Sequence, residues 1–149
     1  MSTLKAANSR FEAVVRESFA KQGLMGAIGA WLVEVQPGNV SIELPFSARV
    51  AQQAGFFHGA VIGAIADSAG GYAALSLMPA GREVVTVEYK INFLKPGKGQ
   101  MLRADGHVLQ SGKTLSVVRV DVTAVDGRKN SACATLQATM MSVPSVGRG

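Results

Sequence analysis

The sequence predicts an α+β chain in which a curved antiparallel sheet of five to six strands wraps around one long central helix. Three observations lead there. Residues 56–78, FFHGAVIGAIADSAGGYAALSLM, are almost all apolar or small and show no two-residue alternation. From Arg82 onward apolar and polar residues alternate, the mark of strands with one buried face. These alternating runs are separated by turn signals too short for crossover helices, so consecutive strands run antiparallel. A sheet with one apolar face needs a cover. A helix apolar around its whole circumference provides it only if the sheet curls around it.

Near the N-terminus, Ser9 with Glu12 three residues later reads as a capping box. Phe11, Val14, Val15, Ser18 and Phe19 then recur at helical spacing, with Gly23 as the stop, which places an N-terminal helix over about residues 9–22. Two extended runs follow, AIGAWLVEVQ (27–36) and NVSIELPF (39–46). Pro37-Gly38 between them makes a hairpin. The central helix is expected to begin at His58 or Gly59 and to end near Met78, where Pro79 stops it. Its small residues, among them Gly63, Ala66, Ala69, Gly70 and Gly71, let strands approach its backbone closely.

Four strands complete the chain. Val85, Val87, Tyr89, Ile91 and Phe93 share one face of the first, opposite Thr86, Glu88, Lys90 and Asn92. KPGKG (95–99) ends it. Leu102, Ala104, Gly106 and Val108 define the next, and QSGKT (110–114) turns the chain into Val118, Val120 and Val122. Asp126-Gly127 is a strong hairpin signal, and the last strand places Ala132, Ala134, Leu136, Ala138 and Met140 on one side. No linker or repeat interrupts the 149 residues, so one domain spanning 1–149 is expected, with its core at about 24–141.

Composition narrows the function classes. The lone Cys133 allows no internal disulfide and no Cys/His zinc cluster, so no metal is expected. The N-terminus lacks an apolar stretch followed by a cleavage site, which points to a cytoplasmic protein. Residues 56–78 could imitate a membrane span, but Asp67 and several glycines sit in the run, so no membrane partner is expected. The net charge of +5 comes from scattered basic residues without an aromatic RNA-reading motif. It is compatible with a polyanionic small ligand, and no nucleic acid is expected. Ser116, Ser131 and Cys133 have no partnering histidine pattern, and no phosphate-binding glycine loop is present.

Asp67 is the residue that composition does not explain. An ionised carboxylate amid Ile65, Ala66, Ala69 and Gly70 is costly unless it is paired or performs chemistry. From the residues alone, both a hydrogen bond to a strand and a catalytic role remain open.

The order of elements, with FHGAVIGAIAD (57–67), VVTVEYKINFLKPGKG (84–99) and GKTLSVVRVDV (112–122), resembles the hotdog-fold acyl-CoA thioesterases of the phenylacetic acid degradation type over about residues 24–141. The resemblance implies a hotdog fold and hydrolysis of a small to medium acyl- or aryl-CoA thioester. It implies that the backbone N–H of Gly59, after His58, polarises the thioester carbonyl, that Gln52 orients the thioester or the water, and that Asp67 acts as nucleophile or general base. Elementary physics agrees for Gly59, because the first turn of a helix offers unpaired N–H donors to an oxygen that becomes negative. Thr86 matches a helper hydroxyl, and Lys113 and Thr114 of the GKTL turn, with the KPGKG loop, would meet the coenzyme A phosphates. No cofactor is implied, because coenzyme A is part of the substrate. Relatives pair their sheets into homodimers and usually homotetramers.

This chain departs from the family in two places: Ala60 stands where many relatives have a second glycine, and Gly71 stands where one branch carries a threonine. A hotdog hydratase or dehydratase and a non-catalytic acyl-CoA-binding protein are the competing readings. The first lacks the local patterns expected around His58 and Asp67, and the second leaves Asp67 without a task.

Overall fold

The computed structural model describes residues 4–147. Its elements are α1 (Phe11–Ala20), α2 (Gly23–Ile28), β1 (Trp31–Gln36), β2 (Asn39–Pro45), a 3-10 turn (Ala48–Val50), α3 (Gly59–Leu75), β3 (Arg82–Phe93), β4 (Met101–Ser111), β5 (Leu115–Asp126) and β6 (Lys129–Pro144). The six strands form one antiparallel sheet in the order β1-β2-β4-β5-β6-β3. Helix α3 packs against β2, β3, β4, β5 and β6, so the sheet wraps around it as expected.

Side-chain alternation drives that wrapping. Leu102, Ala104 and Val108 of β4, Val118, Val120 and Val122 of β5, and Ala134, Leu136, Ala138 and Met140 of β6 are buried with Ile62, Ile65, Ala66 and Ala69 of α3 in one core. Gly106 lets β4 cross α3 at backbone distance. A Cβ there would lie 2.7 Å from the carbonyl carbon and oxygen of Ala69. The far end of α3 is tied to the β1–β2 hairpin, where Ser76 Oγ accepts from Gly38 N at 2.8 Å and donates to Ala73 O at 2.6 Å.

Several expectations need correction. The capping box does not form: α1 begins after Arg10 without a side-chain cap, Asn8 Oδ1 accepts from Arg10 N, and Glu12 pairs instead with Arg16 at 2.9 Å. Gly23 does not end the helical region but begins α2, so Ala27 and Ile28 are helical and β1 starts at Trp31. Gly29, at φ +84°, closes this short helix, whose last two residues, Ala27 and Ile28, fell in the first expected extended run. A register shift between Val122 and Thr123 of the β5–β6 pair turns Ala132 outward and buries Cys133 in its place.

The largest difference concerns β3. The strand forms, but a register shift against β6 between Thr86 and Glu88 breaks the expected single face: Val84, Thr86, Tyr89, Ile91 and Phe93 lie on the α3 side and Val85 on the other. Val87 is 55% exposed, Phe93 54%, and Val85 and Tyr89 46% each. β3 is an outer strand of the sheet, pairing only with β6.

Candidate active site

Two cavities open at different levels of α3, with Gln52 and Gly59 lining one and Asp67 and Thr86 the other. The first, about 480 Å³, lies at the N-terminal end of the helix, lined by Gln52, Phe56, Phe57, Gly59, Phe93 and Gly97 among others. His58 is the N-cap of α3. Its Nδ1 accepts from Ala60 N at 2.9 Å, and its own N–H donates to Val50 O at 2.8 Å. The imidazole is thereby held as a helix-starting group, with Nδ1 already occupied. Next to it, the Gly59 N–H has no acceptor among the described residues. The Phe93 ring lies 3.4 Å from where a Cβ on residue 59 would stand, so a side chain there would press on Phe93 beside the cavity.

Gln52 is held by its own loop. Its Oε1 accepts from Ala54 N, and from Phe56 N at 3.4 Å, while its N–H donates to Phe56 O at 2.8 Å. With the side-chain oxygen committed to the loop, the amide nitrogen is the end left to donate. Gln52 and Gly59 thus bring two kinds of N–H donor to one cavity.

Asp67 stands eight residues further along α3, roughly 12 Å of helical rise from Gly59. It is half-buried rather than sealed in the core, and it lines a second cavity of about 230 Å³. Thr86 Oγ1 of β3 donates to Asp67 Oδ1 at 2.7 Å and lies 3.4 Å from Met140 Sδ. The register of β3 against β6 shifts between Thr86 and Glu88, and this bulge lies at the residue that meets the carboxylate.

The other walls of the Asp67 cavity were not legible in the sequence. Gln22, just after α1, donates from Nε2 to Tyr72 Oη at 2.9 Å and accepts from Ser68 Oγ at 3.3 Å, while Ser18 Oγ lies 3.2 Å from the same Tyr72 oxygen. Burial pushes the Tyr72 phenol above its ordinary range, against the opposing effect of its bonds to Ser18 and Gln22. Ser68 and Tyr72 follow from helical spacing next to Asp67. Ser18 and Gln22 come from across the fold, and no local pattern announces them. Gly71 leaves room here, with only Val84 Cγ1, at 3.8 Å, near its missing Cβ.

Lys113 and Thr114 lie in the β4–β5 turn, both exposed. The KPGKG loop precedes β4 and this turn follows it, so the eleven-residue strand, roughly 35 Å long, separates the two basic features. One chain therefore does not bring Lys113 and Thr114 together with KPGKG. Cys133 is sealed in the core, and burial pushes its thiol up to about 11, which removes it from nucleophilic chemistry near neutral pH. Among the described residues no cluster of three or more His, Cys, Asp or Glu side chains is placed to hold a metal ion, and no helix is long and apolar enough to cross a membrane.

Comparison with known proteins places this geometry in a family. The model described as "Thioesterase superfamily" matches residues 54–131, which include Gly59, Asp67, Thr86, Lys113 and Thr114. A Saccharolobus solfataricus protein provisionally named as an esterase is 33% identical over 116 residues, covering 78% of this chain and 75% of its own. Human acyl-coenzyme A thioesterase 13 is 31% identical over 93 residues, 62% of this chain and 66% of its own. The crystal structure of a thioesterase family protein from Silicibacter pomeroyi superposes with a TM-score of 0.89 at 37% identity, covering 91% of this chain and 99% of that one.

Proposed function

The chain belongs to the thioesterase superfamily and has its hotdog fold, and on that premise we propose that it hydrolyses the thioester of a small to medium acyl- or aryl-CoA to the free acid and coenzyme A. One observation carries the reading. A single helix offers an uncommitted N–H at Gly59, where an oxyanion can be stabilised, and a half-buried carboxylate at Asp67 held by the Thr86 hydroxyl. The finer assignment, to the phenylacetic acid degradation type, rests on FHGAVIGAIAD and GKTL in the sequence.

In this mechanism the thioester carbonyl oxygen lies against the Gly59 N–H and the Gln52 amide. Asp67 either takes a proton from water, whose oxygen attacks the carbonyl carbon, or attacks that carbon itself to form an anhydride that water then opens. In both routes the negative charge collects on the carbonyl oxygen at the N-terminus of α3. Collapse of the tetrahedral intermediate breaks the C–S bond, in the second route as the anhydride forms and before water opens it. The sulfur leaves as the coenzyme A thiolate, which takes the proton that Asp67 removed from water in the first route and a proton from solvent in the second. The reaction needs no cofactor. His58 serves by starting the helix that carries the N–H.

Gly59 and Asp67 are too far apart on one helix for one thioester carbon to meet both, so the proposal includes a homodimer in which one copy gives Gly59 and Gln52 and the other gives Asp67 and Thr86. The outer position of β3 and its exposed apolar side chains support pairing at that edge, and a homotetramer of two such pairs is the fuller assembly. Lys113 and Thr114 reach the same substrate only across such a boundary. A cytoplasmic setting and a single domain complete the reading.

The test is a free-thiol assay of the purified protein against short, medium, long and aromatic acyl-CoAs. Turnover on short to medium or aromatic esters is expected, and the absence of thiol release from every ester would overturn the proposal.

A further inference from the structure

On the thioesterase reading above, we propose that Gln22, at the junction of α1 and α2, closes the far end of the acyl pocket beside Asp67 and so sets the longest acyl group the protein accepts.

The cavity at Asp67 runs along α3 toward its C-terminal end. Gly71 and Tyr72, one turn beyond Asp67, line it, and Val84 and Thr86 of β3 face them. Gly71 widens it, because a Cβ there would meet only Val84 Cγ1, at 3.8 Å. A bound thioester has to lead its coenzyme arm out to solvent, and the cavity at Gly59 borders Lys95 and Pro96 of the KPGKG loop. The acyl group then takes the other direction, into the cavity at Asp67. A cavity of about 150 Å³ takes the six carbons of benzene, so one of about 230 Å³ takes roughly nine.

Gln22 stands where that space ends. Ser18, Gln22 and Glu83 line the Asp67 cavity and also a groove of about 450 Å³ on its outer side, between α1 and the chain after β6, so these three residues separate the two. The Gln22 amide is fixed at both ends: Nε2 donates to Tyr72 Oη at 2.9 Å, and Oε1 accepts from Ser68 Oγ at 3.3 Å. Ser68 and Tyr72 are one turn apart on α3, and the amide bridges that face of the helix. The backbone of Gln22 is held as well. Its N–H donates to Phe19 O at 3.0 Å, its carbonyl accepts from Gly26 N at 3.3 Å, and the Phe19 ring packs edge-on against Tyr72 with centroids 5.9 Å apart. Val15 and Met25, on either side of the junction, are sealed in the core. An acyl chain too long for the cavity has to push the amide aside and break both of its bonds, leaving the buried Tyr72 oxygen with Ser18 alone. A shorter one leaves the network intact.

The test compares kcat/KM for butanoyl-, hexanoyl-, octanoyl- and dodecanoyl-CoA in the wild type, Gln22→Ala, Gln22→Met and Gly71→Ala. The affinities of the matching S-alkyl-CoA thioethers, which have no ester to cleave, are measured by titration calorimetry. Gln22→Ala joins the cavity to the outer groove and is expected to raise the dodecanoyl-to-hexanoyl ratio on the order of tenfold, as two or more further methylenes leave water. Gln22→Met keeps the length of the side chain and should keep the ratio close to the wild-type value. Gly71→Ala finds room for its methyl group and narrows the pocket, which should lower the octanoyl-to-butanoyl ratio on the order of tenfold. An unchanged ratio in Gln22→Ala, a loss shared equally by all esters, or a shift in Gln22→Met as large as in Gln22→Ala would each overturn the proposal. So would an unchanged ratio in Gly71→Ala, and that variant decides the matter if Gln22→Ala does not fold. The thioethers separate this outcome from that of the hydrolase reading. A protein that cleaves no ester but binds thioethers with a length limit moved by both residues retains the pocket and loses the reaction, whereas a thioesterase whose length profile ignores them retains the reaction and loses the pocket.

Discussion

Asp67 carries the proposed chemistry, and its surroundings explain how a carboxylate persists in so apolar a helix. It is half-buried beside a cavity and accepts a 2.7 Å bond from Thr86. Asp67→Asn keeps the volume and is expected to leave the fold intact while lowering turnover by about two to four orders of magnitude, the loss of a base or nucleophile. Circular dichroism alongside the thiol assay checks both halves, and a folded variant with full activity would reduce Asp67 to a structural residue. Thr86→Val removes the donor and should lower kcat about tenfold with little change in KM, since it alters how the carboxylate is held rather than how the substrate is bound. Thr86→Ser should recover most of the loss. Equal activity in all three proteins would detach the hydroxyl from the reaction. Gly59 could be proposed from the sequence because helix-terminus physics and a recognisable motif converge on it, and Asp67 because the same motif contains it and its apolar neighbours make it conspicuous. The wall made by Ser18 and Gln22 could not, because two separate helices meet there through side-chain hydrogen bonds that have no fixed spacing.

Strand and helix boundaries repeat that lesson. Alternation located β4, β5 and β6 because each buries one face within its own chain, whereas the same alternation in β3 predicted burial that its own chain does not supply. Period two reports that a face is meant to be covered and is silent about what covers it. Helix α2 was not anticipated, and its Ala27 and Ile28 were given to a strand, for a different reason: six apolar and glycine residues carry no periodicity long enough to tell helix from strand. β4 crosses α3 at backbone distance, and Gly106 permits it. Gly106→Ala would drive a methyl group into the Ala69 carbonyl, so a destabilisation of about 1–3 kcal/mol or more is expected. Thermal unfolding of the variant should show this as a Tm lower by several degrees, and an unchanged Tm would mean that the sheet can move off the helix at little cost.

For the whole molecule, the distance between Gly59 and Asp67 sets the decisive experiment. Gln52→Ala and Asp67→Ala, each nearly inactive as a homodimer, should complement one another. A heterodimer has one site lacking both groups and one with both intact, so co-purified heterodimers are expected to regain about half the wild-type activity. Folded heterodimers without any gain would place the reaction within one chain and dissolve the shared arrangement of Gln52, Gly59 and Asp67. The heart of the sheet and the central helix were legible because burial inside one chain leaves a periodic trace. The proposed pairing of two copies leaves no such trace within one chain beyond an outer strand whose apolar side chains are exposed.

The exposed apolar side chains of β3 bear on how the protein behaves in solution. A lone copy would carry a twelve-residue outer strand with Val85, Val87 and Tyr89 open to water, and such an edge is a template for indiscriminate strand addition. Newly made chains then face a race between correct pairing and precipitation, and slow expression at low temperature should favour the soluble form. Val87→Lys places a gatekeeper charge on the edge. It should shift the protein toward a soluble single-copy form in analytical ultracentrifugation and abolish thiol release in the same step, so that better behaviour in solution is obtained at the expense of catalysis.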